Sequence, residues 1–279
     1  MIFEVACFGG AHVDLIAQAG GDLVMATSNP GVVCSKPGGV ALNVACALND
    51  LGHQVALVSA LGADSDGDLI TAMLSARNID TSQLHRSADF PTGRYVAVED
   101  TDGELSVAVS DTAALDNLAA ARLETSLQAM SGASYWFADA NLAPALLTRM
   151  ANHPGRPKLV VDAVSVAKSL RLRDLLSEID LLFCNVAEAA SLVGEQSDPL
   201  KALAAAGVRS CVVTNGAGPV GVYDGSDSHE IAVPAVAVSS VTGAGDTLVA
   251  GTMDGLLSGA SLADSVGKGI QAAGRKLTS

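Results

Sequence analysis

The sequence predicts an α/β fold: a mostly parallel central sheet covered by helices on both faces, with a small β lid. Three observations predict it. Short apolar runs alternate with amphipathic ones almost from end to end, and strands that alternate with helices form parallel sheets buried on both sides. Two extended stretches, near 12–36 and 92–111, break that alternation without a helical period. The composition supplies a core, since 49% of the 279 residues are hydrophobic and only 16% charged. A chain of this length buries roughly three-quarters of the surface it exposes when unfolded. No long linker, low-complexity tract or internal repeat interrupts the pattern. The expectation is one domain over 1–279, with the two irregular stretches as its lid.

The first apolar run, Phe3–Phe8, predicts a buried strand. Residues 12–36, rich in Gly and polar residues, predict extended chain. Ala41, Val44, Ala45 and Leu48 fall on one face at helical spacing, and Gly52 supplies the stop. Val55–Ala60 reads as the next strand. Leu69, Ala72, Met73 and Ala76 predict a second helix with that face inward. Arg94–Val98, a turn at Asp100-Thr-Asp-Gly103 and Leu105–Val109 predict a hairpin. Tyr135–Ala138, Leu159–Val161, Leu181–Cys184 and Cys211–Val213 predict four more strands, with a helix through Leu200, Leu203 and Ala204 before the last. Gly216-Ala-Gly-Pro-Val-Gly221 matches the dinucleotide pattern GxGxxG literally, but that pattern requires a helix after the glycines. Here Pro219 and Val220-Gly-Val-Tyr223 continue as a strand into Asp224-Gly225. A tight hairpin is predicted, and a nicotinamide-dependent oxidoreductase is a distant alternative.

Charge narrows the partners. Lys and Arg number 16 against 30 Asp and Glu, a formal charge of −14, so no basic face is available for a nucleic-acid backbone. A small phosphate ligand remains open, because backbone N–H groups hold one without basic side chains. The mean hydropathy is +0.37, yet no apolar run approaches the roughly 18 residues of a membrane span, so no membrane partner is expected. No basic segment leading into an apolar one opens the chain. The five cysteines (Cys7, Cys34, Cys46, Cys184 and Cys211) lack metal spacing. Together these features predict reduced, buried thiols and a cytoplasmic location.

The most informative segment is Val241-Thr-Gly-Ala-Gly-Asp-Thr247, ahead of an apolar helix through Leu248, Val249, Ala250, Met253, Leu256 and Leu257. Small residues open a turn whose unpaired N–H groups carry the positive end of the helix dipole. Asp246 among them is either a helix-start acid, contributing about 0.3–1 kcal/mol, or a general base beside an anion hole. Pro37-Gly38-Gly39-Val-Ala-Leu-Asn43 is a second glycine turn into a helix, with Asn43 placed to reach hydroxyls. Asp14, just past the first strand, lies at the sheet edge where α/β folds bind ligands. It either accepts two sugar hydroxyls or caps a turn. Asn185-Val-Ala-Glu188 follows a strand and is either a helix cap or the holder of a hydrated Mg²⁺.

In this order the motifs resemble the ribokinase-like (PfkB) family of carbohydrate and nucleoside kinases, over essentially the whole chain. The resemblance rests on Gly9-Gly10…Asp14, Gly38-Gly39…Asn43, Gly62-Ala-Asp64…Gly67, Asn185…Glu188 and Gly243-Ala-Gly-Asp246. Ser28-Asn-Pro-Gly31, Val109-Ser-Asp111, Ala138-Asp-Ala-Asn141 and Val161-Asp-Ala-Val-Ser165 with Lys168 are most similar to the subgroup acting on pseudouridine. The resemblance implies a ribokinase-like fold and ATP-dependent phosphorylation of a nucleoside 5′-hydroxyl. It implies Asp246 as base and the amides of Gly243, Ala244 and Gly245 as anion hole. It implies acceptor contacts from His12, Asp14, Gly38, Gly39, Asn43, Asp111 and Asn141. ATP contacts fall to Asn185, Thr214, Gly216 and Thr242, and Mg²⁺, through water, to Glu188. Asp111 equally reads as a cap of the following turn. The resemblance also implies K⁺ and closure of the lid over the acceptor, and unpaired strand edges on the lid predict a homodimer through it.

Two departures stand out. His12 occupies a position where the subgroup commonly has Asn. Family members also continue a few dozen residues past the equivalent of Ser279, completing the adenine pocket and cation loop, so the expectation is either a short natural variant or weakened nucleotide binding. Alternative functions are a ribokinase or other sugar kinase, and, in another class, a non-catalytic nucleoside-binding protein.

Overall fold

The structure is a computed structural model that describes residues 3–236 and 243–278. In chain order the strands are β1 (Val5–Phe8), β2 (His12–Ala19), β3 (Gly31–Gly38), β4 (Val55–Gly62), β5 (Leu84–Ser87), β6 (Arg94–Glu99) and β7 (Leu105–Asp111). There follow β8 (Tyr135–Asp139), β9 (Lys158–Asp162), β10 (Leu181–Asn185), β11 (Cys211–Thr214), β12 (Val220–Tyr223) and β13 (Ser228–Ile231). The helices are α1 (Val40–Asp50), α2 (Ser65–Ala76), α3 (Ala113–Asp116), α4 (Ala120–Ala129), α5 (Pro144–Ala151), α6 (Val166–Ser169), α7 (Val186–Val193), α8 (Pro199–Ala205), α9 (Ala244–Leu257) and α10 (Leu262–Leu277).

The main sheet runs β13-β12-β11-β10-β9-β8-β1-β4-β5, and every pairing from β11 across to β5 is parallel. The apolar runs of the inner strands explain this, because strands with helices on both faces bury side chains on both. Trp136 and Phe137 are neighbours in β8, both fully buried, and belong to opposite apolar layers. Trp136 packs against Phe8 and donates its Nε1–H to the Met130 carbonyl at 2.9 Å. Phe137 lies in the layer built by α1 and α9, with Leu48, Val249 and Met253. Because the strands run parallel, their C-terminal ends collect Gly9, Asp139, Asp162, Asn185 and Thr214 along one edge.

The two irregular stretches pair with each other. A four-stranded sheet in the order β3-β2-β6-β7 rises from that edge. β2 lies antiparallel to β3, with His12 opposite Gly38 and Asp14 opposite Lys36, and parallel to β6. Asp64 ties this sheet to the body. Its carboxylate caps α2 by accepting the Gly67 N–H at 2.9 Å, and it also accepts the Thr92 N–H at 2.8 Å and hydroxyl at 2.6 Å.

Two expectations are corrected. Helix α2 buries Gly67, Ile70 and Leu74, whereas Leu69 is 49% exposed. A helix with apolar residues on two stripes has no single face by periodicity, and here the stripe of Ile70 and Leu74 packs into the buried layer with Leu57 and Leu61. Cys34 is exposed on β3, unlike the buried Cys7, Cys184 and Cys211. The literal GxGxxG segment is the turn of an antiparallel β11–β12 hairpin. Among the described residues no helix is long and apolar enough to cross a membrane.

Candidate active site

Asp246 occupies the first turn of α9. Gly243, the N-cap, adopts a left-handed φ of 79°, which favours glycine, and among the described residues no side chain caps this end. The helix start therefore presents backbone N–H groups and the positive dipole end. Asn43, in the first turn of α1, donates its Nδ2–H to Asp246 Oδ2 at 2.7 Å. Asp246 keeps part of its surface open to a cavity and is walled in elsewhere. Burial raises its carboxyl to about 6, the nearby Asp139 and Asp14 add to the rise, and Asn43 and His12 oppose it. A carboxylate poised near neutrality beside a helix start suits proton abstraction from an alcohol next to an anion hole.

Two cavities flank this turn. One, of about 450 Å³, is lined by Asp14, Lys36, Asn43, Gly243 and Asp246, among others. The second, of about 520 Å³, lies against Ala244 and Gly245 and takes in Thr214 and Gly216. Val220, Val233, Pro234, Leu248 and Ile270 give it an apolar wall. One turn thus divides a polar, acid-bearing cavity from an apolar one, which suits two ligands meeting at the glycine amides. Arg275 borders both cavities.

Around the first cavity, Asp14 is buried and lies 3.0 Å from His12 Nε2. Gly38 and Gly39 do steric work. A Cβ on Gly38 would overlap the Asp14 carboxylate, and one on Gly39, whose φ is 109°, would overlap the Gly10 carbonyl. Asn141 is buried beside this group, with its Oδ1 accepting from Lys168 Nζ. Asp111 ends β7, and its Oδ1 accepts the Ala113 N–H at 3.0 Å, the turn-capping alternative. Arg94, on the same four-stranded sheet, is engaged with Asp66 at 2.7 Å.

Asn185 and Glu188 form a reciprocal capping box at the start of α7, each side chain bonding the other's backbone N–H at 2.9 Å. Of the two alternatives for this pair, the cap is what the geometry displays. Burial nevertheless pushes the Glu188 carboxyl up. Asn185, Thr214 and Gly216 share a third cavity of about 690 Å³. Among the described residues no group of three or more His, Cys, Asp or Glu surrounds one point. A divalent ion here fits only as a largely hydrated one, resting on Glu188 through water and on nucleotide phosphates, the usual habit of Mg²⁺. Thr242 lies outside the described residues.

Asp139 and Asp162 were not among the expected site residues. They end β8 and β9 as register partners. Burial raises the carboxyl of Asp139 and lifts that of Asp162 well above the usual range, with Asp246 adding to the latter. The signal was present: Tyr-Trp-Phe-Ala-Asp and Leu-Val-Val-Asp each place an acid directly after a wholly buried run.

The pfkB family carbohydrate kinase model matches residues 3–279. Pseudouridine kinase of Escherichia coli (strain K12) is 29% identical over 270 residues, covering 94% of this chain and 86% of that protein. A solved carbohydrate kinase from Agrobacterium tumefaciens superposes with a TM-score of 0.86 at 28% identity, covering 99% of this chain and 91% of that one. Arabidopsis thaliana ribokinase, complexed with ribose and ATP, shares the fold at a TM-score of 0.86 and 20% identity, over 100% of this chain and 94% of its own. With a single family model spanning both sheets, the chain belongs to the pfkB family of carbohydrate kinases, phosphotransferases with an alcohol group as acceptor.

Proposed function

We propose that the protein phosphorylates the 5′-hydroxyl of pseudouridine with ATP, using Asp246 as general base. The observation that carries this reading is the Asp246 carboxylate, held by Asn43 at 2.7 Å on a turn between two cavities. The acceptor sits on the Asp14 and Asn43 side, where Gly38 and Gly39 let the chain approach and His12 and Asn141 flank it. ATP fills the apolar cavity, with its phosphates near Thr214, Gly216, Thr242 and the Gly243–Gly245 amides. Glu188 and Asn185 would hold a largely hydrated divalent ion, which when bound would neutralise charge on the phosphates. Asp246 takes the hydroxyl proton as the acceptor oxygen bonds to the γ-phosphorus, the bond from that phosphorus to the β–γ bridging oxygen breaks, ADP leaves, and the amides stabilise charge on the transferring group. The β3-β2-β6-β7 sheet acts as the lid that excludes water. No step is assigned to K⁺.

The base assignment is tested with Asp246→Asn, which should lower kcat by roughly 10²–10⁴-fold with ATP affinity preserved. Turnover near wild type would refute it. The substrate reading draws on the likeness to pseudouridine kinase. Its test is kcat/KM for pseudouridine, uridine and ribose with ATP and Mg²⁺, and a preference for pseudouridine is expected. Asp111 Oδ2 is the acceptor offered to the extra N1–H of that base.

A sugar kinase is the second reading. It is favoured by the engagement of Arg94 with Asp66 and of Asp111 with Ala113, which occupies two lid groups that would meet a base. A clear preference for ribose in the same panel would establish it. We also propose a homodimer through the lid, where Val32, Val33, Leu105, Val107 and Val109 stay exposed on the outer strands. Sedimentation of wild type beside Val107→Lys tests it, with loss of dimer expected in the variant.

A further inference from the structure

Helix α1 starts without a cap of its own. Its N-cap is Gly39, which has no side chain to offer, and no acid stands in its first turn. The first N–H groups of a helix have no partner inside it, and leaving them buried and unpaired is costly. Two are met from elsewhere in the chain. Leu42 N–H donates to the Gly10 carbonyl at 3.1 Å, and Ala41 N–H donates to Asp139 Oδ2 at 2.9 Å. The same oxygen accepts the Gly10 N–H at 2.9 Å, and Oδ1 accepts that of Asn141 at 2.9 Å.

Asp139 is 0% exposed, and a carboxylate is an acceptor-only group to which three N–H donors are well matched. It joins the end of β1, the start of α1 and the turn after β8. Gly9 and Gly10, which read in sequence as a ligand motif, follow from it. A Cβ on Gly9 would overlap the Asp139 carboxylate, and one on Gly10 would come within 2.8 Å of Asn141 Nδ2.

We propose that Asp139 is a positioning residue for phosphoryl transfer: by capping α1 from across the sheet, it sets where Asn43 meets Asp246. The inference rests on the reading of Asp246 as base. Asn43 lies two residues beyond the capped Ala41, and its side chain is the donor to Asp246 Oδ2. Asp139 also faces Asp246 as a charge. The other groups around that base are Asn43 from α1, His12 and Asp14 from β2, and Asp162 from β9. Lys36 from β3 and Arg275 and Lys276 from α10 line the same cavity.

The test is Asp139→Asn, which keeps the size but turns an N–H₂ toward at least one N–H donor. Acceptor kcat/KM should fall roughly tenfold or more, with the KM for ATP unchanged. The loss should persist when acceptor kcat/KM is expressed per folded enzyme. A merely structural role would reduce the folded fraction and leave acceptor kcat/KM per folded enzyme unchanged, which would overturn the proposal. Combined with Asn43→Ala, the variant should cost less than the product of the two single losses, and full additivity would also overturn it. Should the variant not fold, amide exchange in the wild-type enzyme decides. Protection of Gly10 and Ala41 N–H equal to that of the central strands is expected, and fast exchange at either refutes the cap. Failure of the base reading shows separately, as an Asp246→Asn variant with near wild-type turnover.

Discussion

In an Asn43→Ala variant the Asp246 carboxylate loses the amide N–H that reaches its Oδ2 at 2.7 Å. That bond stabilises the charged form, so its removal should raise the carboxyl further from about 6. A hydrogen bond to a charged acceptor contributes about 1.5–3 kcal/mol, and about 1.4 kcal/mol corresponds to one pH unit. The unopposed shift is thus roughly one to two units. Water entering the space left by the amide returns part of that solvation, which brings the expected shift to about one unit. The sign follows from the role of the base. A base must be deprotonated to act, so a higher carboxyl pKa moves the acid limb of kcat/KM upward, from near pH 6 to about pH 7. The assay is acceptor kcat/KM across about pH 5–9, wild type beside variant, with the position of the limb read independently of its height. The variant should lag most at the acid end and recover toward its own plateau as pH rises. A limb that stays in place, or moves to lower pH, would refute the coupling of Asn43 to the base.

Asp64→Ala removes the cap of α2 together with both bonds to Thr92, so urea unfolding should show a loss of roughly 2 kcal/mol. Asp64→Asn, which retains an acceptor oxygen for Gly67, should lose clearly less. Gly38→Ala drives a methyl group into the Asp14 carboxylate. The KM for the acceptor should rise about tenfold while that for ATP stays put. Equal changes in both would instead indicate general damage to the lid.

Much of the fold was legible because its signals are local. A four-residue run such as Val5-Ala-Cys-Phe8 has no polar side to expose, and it is buried throughout. The turn after Thr214 was readable as a hairpin because Pro219 and the apolar Val220 and Val222 disqualify a helix. The α2 face was not readable, since Leu69 and Ile70 both extend plausible apolar stripes and only packing of Ile70 and Leu74 against the sheet layer chooses between them. The site was legible in the same uneven way. Gly243-Ala-Gly-Asp246 announces a helix start that carries an acid. Asn43 and Asp246 are 203 positions apart in the chain, and no spacing rule predicts that they touch.

Taken by itself, the sequence determined the α/β class, the alternation of buried strands with helices and the net acidic charge. It also determined the candidate base, through small residues opening a helix. These properties follow from side-chain chemistry and from periodicities of two and 3.6 residues, which act within a few positions along the chain. Tertiary structure decided what depends on strand order and register. It aligned Asp139 and Asp162 at the sheet edge, turned Gly9 and Gly10 into room for a carboxylate, and capped α1 with an acid 98 positions away. It also made Asn185 and Glu188 a capping box and joined two irregular stretches into one sheet. Such contacts form only after the layers pack, because each requires groups from separate strands to arrive at one point and satisfy one another there.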